Sequence, residues 1–219
     1  MSLDKTHTIR DYNPQIPHDA TVFFVSSSVY SSLPGYFTPE ERRDQTVQTL
    51  QSIRRFVSSA YIIIAETTEL TAEDTKKLSP LADDIVLFPD LRQVRNKNIG
   101  EKGSIYLLAK KLIDQHFSRI FKISGRYSLV EGFDVSLFSS DTFTFRRAVW
   151  KPERPCFLTV LYSLPYSKFA EYFRVLEQCL QNPLDIEHCF YKYLIRSDPQ
   201  IIDQIFVEGY EANGNYFRG

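Results

Sequence analysis

The sequence carries almost no net charge: 26 Lys and Arg stand against 27 Asp and Glu, a balance of −1 over 219 residues. A chain without a global field does not gather nucleic acid or anionic membrane electrostatically, so any anion it binds must be held locally. No apolar run approaches the roughly 20 residues that cross a bilayer, and the first fifteen residues lack the apolar centre of a signal peptide. The expectation is a cytoplasmic protein with no membrane span and no nucleic-acid partner. Cysteine is scarce. Cys156, Cys179 and Cys189 have no CxxC spacing, which argues against a zinc or redox site, and two of them fall on apolar faces of candidate helices, where buried thiols belong. Gly/Ser-rich linkers, low-complexity tracts and internal repeats are also missing. With 43% hydrophobic residues, the chain reads as a polar arm over 1–20 followed by one domain over 21–219.

What is present is an alternation of strands and helices. Thr21 to Val25 is a continuous apolar, partly β-branched run that stops at three serines, the pattern of a strand buried on both faces. Thr38-Pro39-Glu40-Glu41 places a capping residue, a proline at the first helical position and a Glu three on, after which Val47, Leu50, Ile53 and Val57 recur at helical spacing. Ala60–Ala65 and Asp84–Phe88 read as two further strands around a short polar helix from Thr71 to Leu78. A helix from Ser104 to Phe117 then leads into a fourth strand, Ile120–Ile123. Phe143–Arg147 and Phe157–Tyr162 alternate more, as strands added antiparallel to a parallel sheet do, and two amphipathic helices follow over Phe169–Leu180 and from Asp185 to Leu194. This predicts an α/β fold: a single-domain, Rossmann-like mixed sheet flanked by helices.

In such sheets ligands bind beyond the carboxyl ends of the strands, where turns and helix N-termini offer free N–H groups. The polar residues there are Ser26, Ser27, Ser28 and Tyr30, then Glu66 and Thr67, then Asp90, Arg92 and Arg95, then Ser124, Gly125 and Arg126. A carboxylate such as Glu66 can accept from a ribose hydroxyl or a base N–H, and an arginine offers a fork to phosphate, so the set suits a nucleoside diphosphate. Neither a Walker loop nor a GxGxxG follows the first strand, which disfavours a P-loop kinase or a dinucleotide dehydrogenase. The polar stretch from Arg95 to Gly103 is either a phosphate or sugar cradle, with Lys102 for charge and Gly103 for close approach, or a solvated loop capped by Ser104.

The spacing Arg43-x-Gln45-Thr46-x-x-Thr49-x-x-Ser52-Ile53-Arg54, the helix start Gly100-Glu101-Lys102 and the run Phe121-Lys122-Ile123-Ser124-Gly125-Arg126-Tyr127 resemble a group of small GT-A-fold glycosyltransferases of microbial and viral polysaccharide pathways. The resemblance spans most of the chain. It implies a nucleotide-sugar donor bound against the first four strands and a glycan or other hydroxyl acceptor approaching near Asp185-Ile186-Glu187-His188. It also exposes a departure. Enzymes of this fold carry an Asp-x-Asp after the fourth strand to hold Mg²⁺ or Mn²⁺ against the diphosphate, and here that place reads Ser124-Gly125-Arg126-Tyr127. Either Arg126, helped by Lys102, neutralises the diphosphate without metal, or a metal is held by other groups such as His188. Ala82-Asp83-Asp84 mimics the motif but precedes its strand, at the wrong end of the sheet, and reads as a solvated turn.

The reaction implied is displacement at the anomeric carbon with a nucleoside diphosphate leaving and, if configuration inverts, a general base on the acceptor hydroxyl. Asp185, Glu187 and His188 are the candidate bases, against the alternative that they decorate a helix N-terminus. Tyr127, Trp150 and Tyr162 could stack on a base or sugar or could simply pack. Two other functions stay open. One is a sugar nucleotidyltransferase, though Ser26 to Gly35 lacks the Gly-rich, basic signature expected of it; the other is an inactive nucleotide-sugar-binding module.

Overall fold

Residues 5–31, 35–91, 97–148 and 154–219 are described in this computed structural model. Arg92, Arg95 and Trp150 lie outside the described residues. In chain order the elements are β1 (Thr6–Thr8), β2 (Thr21–Ser27), α1 (Pro39–Phe56), β3 (Tyr61–Glu66), α2 (Ala72–Leu78), β4 (Asp84–Leu87), α3 (Lys97–Lys111), β5 (Arg119–Ser124), β6 (Tyr127–Leu129), β7 (Thr144–Ala148), β8 (Cys156–Pro165), α4 (Phe169–Leu180), α5 (Ile186–Leu194), β9 (Gln200–Ile201), β10 (Val207–Tyr210) and β11 (Tyr216–Arg218).

The unbroken apolar runs become the centre of a sheet ordered β1-β4-β3-β2-β5-β8-β7-β9. The first five strands are parallel, and β8 and β7 extend the sheet antiparallel beyond β5. Because successive side chains point to opposite faces, both faces of the centre are apolar. Val22, Phe24, Ile63 and Ile120 join Leu108, Tyr172 and Phe190 under α3, α4 and α5, while Phe23, Val25, Ile62, Ile64 and Phe121 join Leu50 and Ile53 of α1 and Leu78 of α2. All three cysteines are buried and unpaired. No helix among the described residues is long and apolar enough to cross a membrane.

Local chemistry sets the helix starts. The Thr38 hydroxyl accepts from Glu41 N–H at 3.2 Å, and the Glu41 carboxylate accepts from Thr38 N–H at 2.7 Å, the reciprocal box expected from the sequence. Thr71 and Asp74 repeat it on α2. Three features differ from the sequence reading. Part of the arm over 1–20 enters the sheet, because β1 pairs parallel with β4 at its edge. Helix α3 starts at Lys97 rather than Ser104 and ends at Lys111, so the polar cradle or loop predicted up to Gly103 is in large part helix. A second sheet, ordered β11-β10-β6, caps α1, with Leu129 N–H donating to Ser52 Oγ at 2.9 Å.

Asp83 and Asp84 lie at the start of β4 as expected, but they are not a solvated turn. Asp84 is buried and accepts from the hydroxyls of Tyr12 and Tyr61 at 2.8 and 2.7 Å. Asp83 takes Arg54 at 2.7 Å. These carboxylates fasten the arm and α1 to the amino end of the sheet.

Candidate functional site

Parallel pairing in register brings the carboxyl ends of β3, β2 and β5 level: Ser27 stands beside Glu66, and Ser26 beside Ser124. The turn after β5 is held down by Gly125 N–H on Ser26 O at 2.8 Å. A Cβ on Gly125 would lie 3.0 Å from Thr46 Oγ1 and 3.2 Å from Ser26 O, so the glycine lets this turn sit against α1. Ser26, Ser27, Glu66, Ser124, Gly125 and Arg126, all predicted donor-site residues, therefore share one end of the sheet.

Glu66 is fully buried. One oxygen accepts from the N–H groups of Val29 and Thr68, at 3.2 and 2.9 Å, and from the Thr68 hydroxyl. The other oxygen has no hydrogen bond of good geometry; the Ser27 hydroxyl, 3.3 Å from Thr46 Oγ1, also acts on the carboxyl and pulls its pKa down. Burial pushes the Glu66 carboxyl above its usual range, against the pull of its hydrogen bonds. Arg42 lies within electrostatic reach of both Glu66 and Arg126. Arg42, half-buried, reaches back to Phe37 O and Ser28 O, and burial followed by the charge of Arg126 draws its pKa down while Glu66 opposes. Two cations that feel each other are unfavourable unless an anion lies between them.

A second polar group continues the site beneath α3 and α5. Lys122 is fully buried, and its ammonium donates to Glu101 Oε1 at 2.7 Å, Thr159 O at 3.0 Å and Ser124 Oγ at 3.1 Å. Glu187, in the first turn of α5, accepts from the Thr159 hydroxyl at 2.7 Å. Burial, then the nearby charge of Glu101, raises its carboxyl. Asp185 caps α5 by accepting His188 N–H at 2.9 Å and holds the His188 ring, Nδ1 to Oδ1 2.6 Å. The three predicted bases thus have different tasks: Asp185 caps and orients, His188 is its partner, and Glu187 alone turns into the Lys122 cluster.

Two predicted donor residues are elsewhere. Lys102 is buried and donates to Asn182 O at 2.9 Å and to Leu184 O, tying α3 to the α4–α5 connection. It is not available to a phosphate. At Gly103 a Cβ would meet Leu91 side-chain atoms at 3.1 Å, so that glycine serves packing. Tyr162 is core, its hydroxyl 2.7 Å from that of Tyr172, and Tyr127 is buried edge-on to Phe217. Arg43 pairs with the buried Asp74 at 3.3 Å.

Sequence reasoning missed Arg42, Thr159, Glu101 and Lys122 as site residues. Lys122 had a signal: a lysine inside the apolar run of a doubly covered strand demands a buried partner. At the place where an Asp-x-Asp would hold a divalent ion, the turn after β5 presents Ser124, Gly125 and Arg126. Among the described residues, three imidazole, thiol or carboxylate groups converge closely only at His18, Asp19 and His116, where β2 and β5 begin.

No protein-family model matches the chain, and no curated protein matches its sequence. Its fold is similar to that of core-mannan synthase A of Aspergillus fumigatus in its Mn/GDP form, with a TM-score of 0.53 at 10% identity over 92% of this chain and 77% of that one. It is also similar to 4-diphosphocytidyl-2C-methyl-D-erythritol synthase of Anaerococcus prevotii, with a TM-score of 0.52 at 9% identity over 84% of this chain and 86% of that one. At these identities the likeness is one of fold, and chemistry rests on this chain's own residues.

Proposed function

We propose that the protein is a glycosyltransferase that moves a sugar from a nucleoside-diphosphate donor to a hydroxyl of a glycan or similar acceptor. The observation that carries this reading is the buried Glu66 carboxyl standing level with the Ser124–Arg126 turn at the carboxyl ends of β2, β3 and β5, where Arg42 feels the charges of both Glu66 and Arg126. The free oxygen of Glu66 suits a ribose hydroxyl or a base N–H, and the two forks suit the diphosphate. Arg42 takes the part the sequence reading gave to Lys102, so the leaving diphosphate is neutralised by side chains. As the bond from the anomeric carbon to the diphosphate breaks, the acceptor oxygen bonds to that carbon and gives its proton to Glu187. The raised carboxyl of Glu187 makes it a better base than an exposed glutamate.

The test is calorimetric titration of nucleoside diphosphates, with Mn²⁺ and separately with EDTA, alongside release of nucleoside diphosphate from a panel of nucleotide sugars. We expect one base to bind in EDTA, with Arg42→Ala and Arg126→Ala each weakening it more than about tenfold, the scale of losing a charge-assisted hydrogen bond. Binding that requires Mn²⁺ defeats the cationic route, and a chain that neither binds nor cleaves any member of the panel is a non-catalytic module.

A further inference from the structure

The amino end of the sheet holds a second constellation that the transfer reaction does not use. His18 and Asp19 sit in the turn before β2, closed by Ala20 N–H on Pro17 O at 3.1 Å. His116 sits in the connection from α3 to β5. Two residues on, the N–H and hydroxyl of Ser118 both donate to Ala20 O, at 3.0 and 3.1 Å. Backbone bonds therefore clamp the two segments together, and the three side chains meet because the sheet register fixes their carriers.

His18 Nδ1 lies 2.8 Å from one Asp19 oxygen and His116 Nδ1 lies 3.3 Å from the other. Each residue offers a ligand atom within 4.8 Å of the others. The imidazoles stack at 4.1 Å, and Tyr166 leans on His116 with ring centroids 4.5 Å apart. Two imidazoles and one carboxylate are a donor set for a late first-row divalent ion, and ligands about 2.1 Å from a tetrahedral ion lie about 3.4 Å apart. The His116 separation of 3.3 Å already falls near that edge length, and the His18 separation of 2.8 Å, to the other Asp19 oxygen, must open to reach it.

We propose that His18, Asp19 and His116 bind a Zn²⁺-class ion, with water completing its shell. An imidazole lone pair lies in the plane of its ring, so the two parallel rings must tilt toward the shared ion. Side chains that are 70% and 46% exposed are free to do so. The exposed His18 and Asp19 also line a cavity of about 510 Å³ with Arg54, Tyr61 and Asp83. The ion joins the turn before β2 to the turn before β5, far from the strand ends that carry Glu66 and Arg126, so its role is to fasten the fold. Because both imidazoles must be unprotonated to ligate, acid weakens the site.

Zn²⁺ titrated into metal-free protein by calorimetry at pH 7.5 should bind one equivalent, and bind it more weakly at pH 6.0. His18→Ala and His116→Ala should each weaken it more than about tenfold, while His188→Ala leaves it unchanged. Melting in EDTA keeps the result interpretable, because equal transitions for all four proteins show that the variants fold. Co²⁺ in place of Zn²⁺ should give visible absorption bands that His116→Ala removes. The proposal fails if no equivalent binds, if binding survives both substitutions, or if it follows His188.

Discussion

At the scale of single residues, the site separates groups by what they hold. Glu187 accepts from Thr159 beside the Lys122–Glu101 pair, whereas Asp185 is occupied by His188. We expect Glu187→Gln to lower turnover by about 10²–10⁴-fold, the range of general-base catalysis, with nucleoside-diphosphate affinity within about twofold of wild type. Single-turnover kinetics with calorimetry measures both, and wild-type turnover removes the base from α5. Lys102 and Arg126 give a crossed pair. Lys102→Met leaves the carbonyls of Asn182 and Leu184 without their donor and should cost about 2–3 kcal/mol in urea denaturation with nucleotide affinity retained. Arg126, whose guanidinium has no hydrogen bond or ion pair among the described residues and lies 6.0 Å from the Tyr127 ring centroid, should show the reverse when changed to Ala: normal stability and lost binding.

At the scale of elements, legibility followed the locality of the signal. The capping box of α1 lies within four residues of sequence and was readable as such, and α2, read only as a short polar helix, starts with a box of the same spacing. Thr38→Ala should cost about 1 kcal/mol, checked by thermal unfolding, with no effect on nucleotide affinity because the box faces solvent. The core strands were readable because burial on both faces demands an uninterrupted apolar run. The start of α3 was not. Gly100 and Gly103 are poor helix formers, and what holds those turns is tertiary: Leu91 against Gly103 and the carbonyls of residues 182 and 184 on Lys102. Strands β6, β10 and β11, of three, four and three residues, are too short to show a period, and the pairing of β6 with β10 joins residues some eighty positions apart. The same limit hid half of the site. Ser26, Glu66 and Ser124 are legible because each ends a strand, but Arg42 and Thr159 enter through α1 and an antiparallel strand whose placement no local pattern gives.

At the scale of the whole molecule, stability and ligand affinity are set against each other through pH. Burial raises the carboxyls of Glu66 and Glu187 from an ordinary 4.5, so the native state holds protons that the unfolded chain has released. Their contribution is complete below about pH 4.5 and is lost as pH rises through the folded values. Asp74 runs the other way. Although its burial opposes the change, hydrogen bonds from Thr71, Tyr30 and Arg43 hold it below an ordinary 3.8, so its contribution is present above that value and disappears as pH falls through the folded one. The two trends bound stability from both sides: it falls as pH drops through the folded value of Asp74 and as pH rises through those of Glu66 and Glu187. Nucleotide binding should slope oppositely over the same window, because Glu66 must be ionised for its free oxygen to accept without competing for a proton. Urea denaturation from pH 4 to pH 8 and calorimetry at the same points measure both slopes. Glu66→Gln, which cannot ionise, should flatten part of the decline in stability and remove the rise in affinity together. A variant that altered one slope and left the other would separate the buried carboxylate from the nucleotide it is proposed to hold.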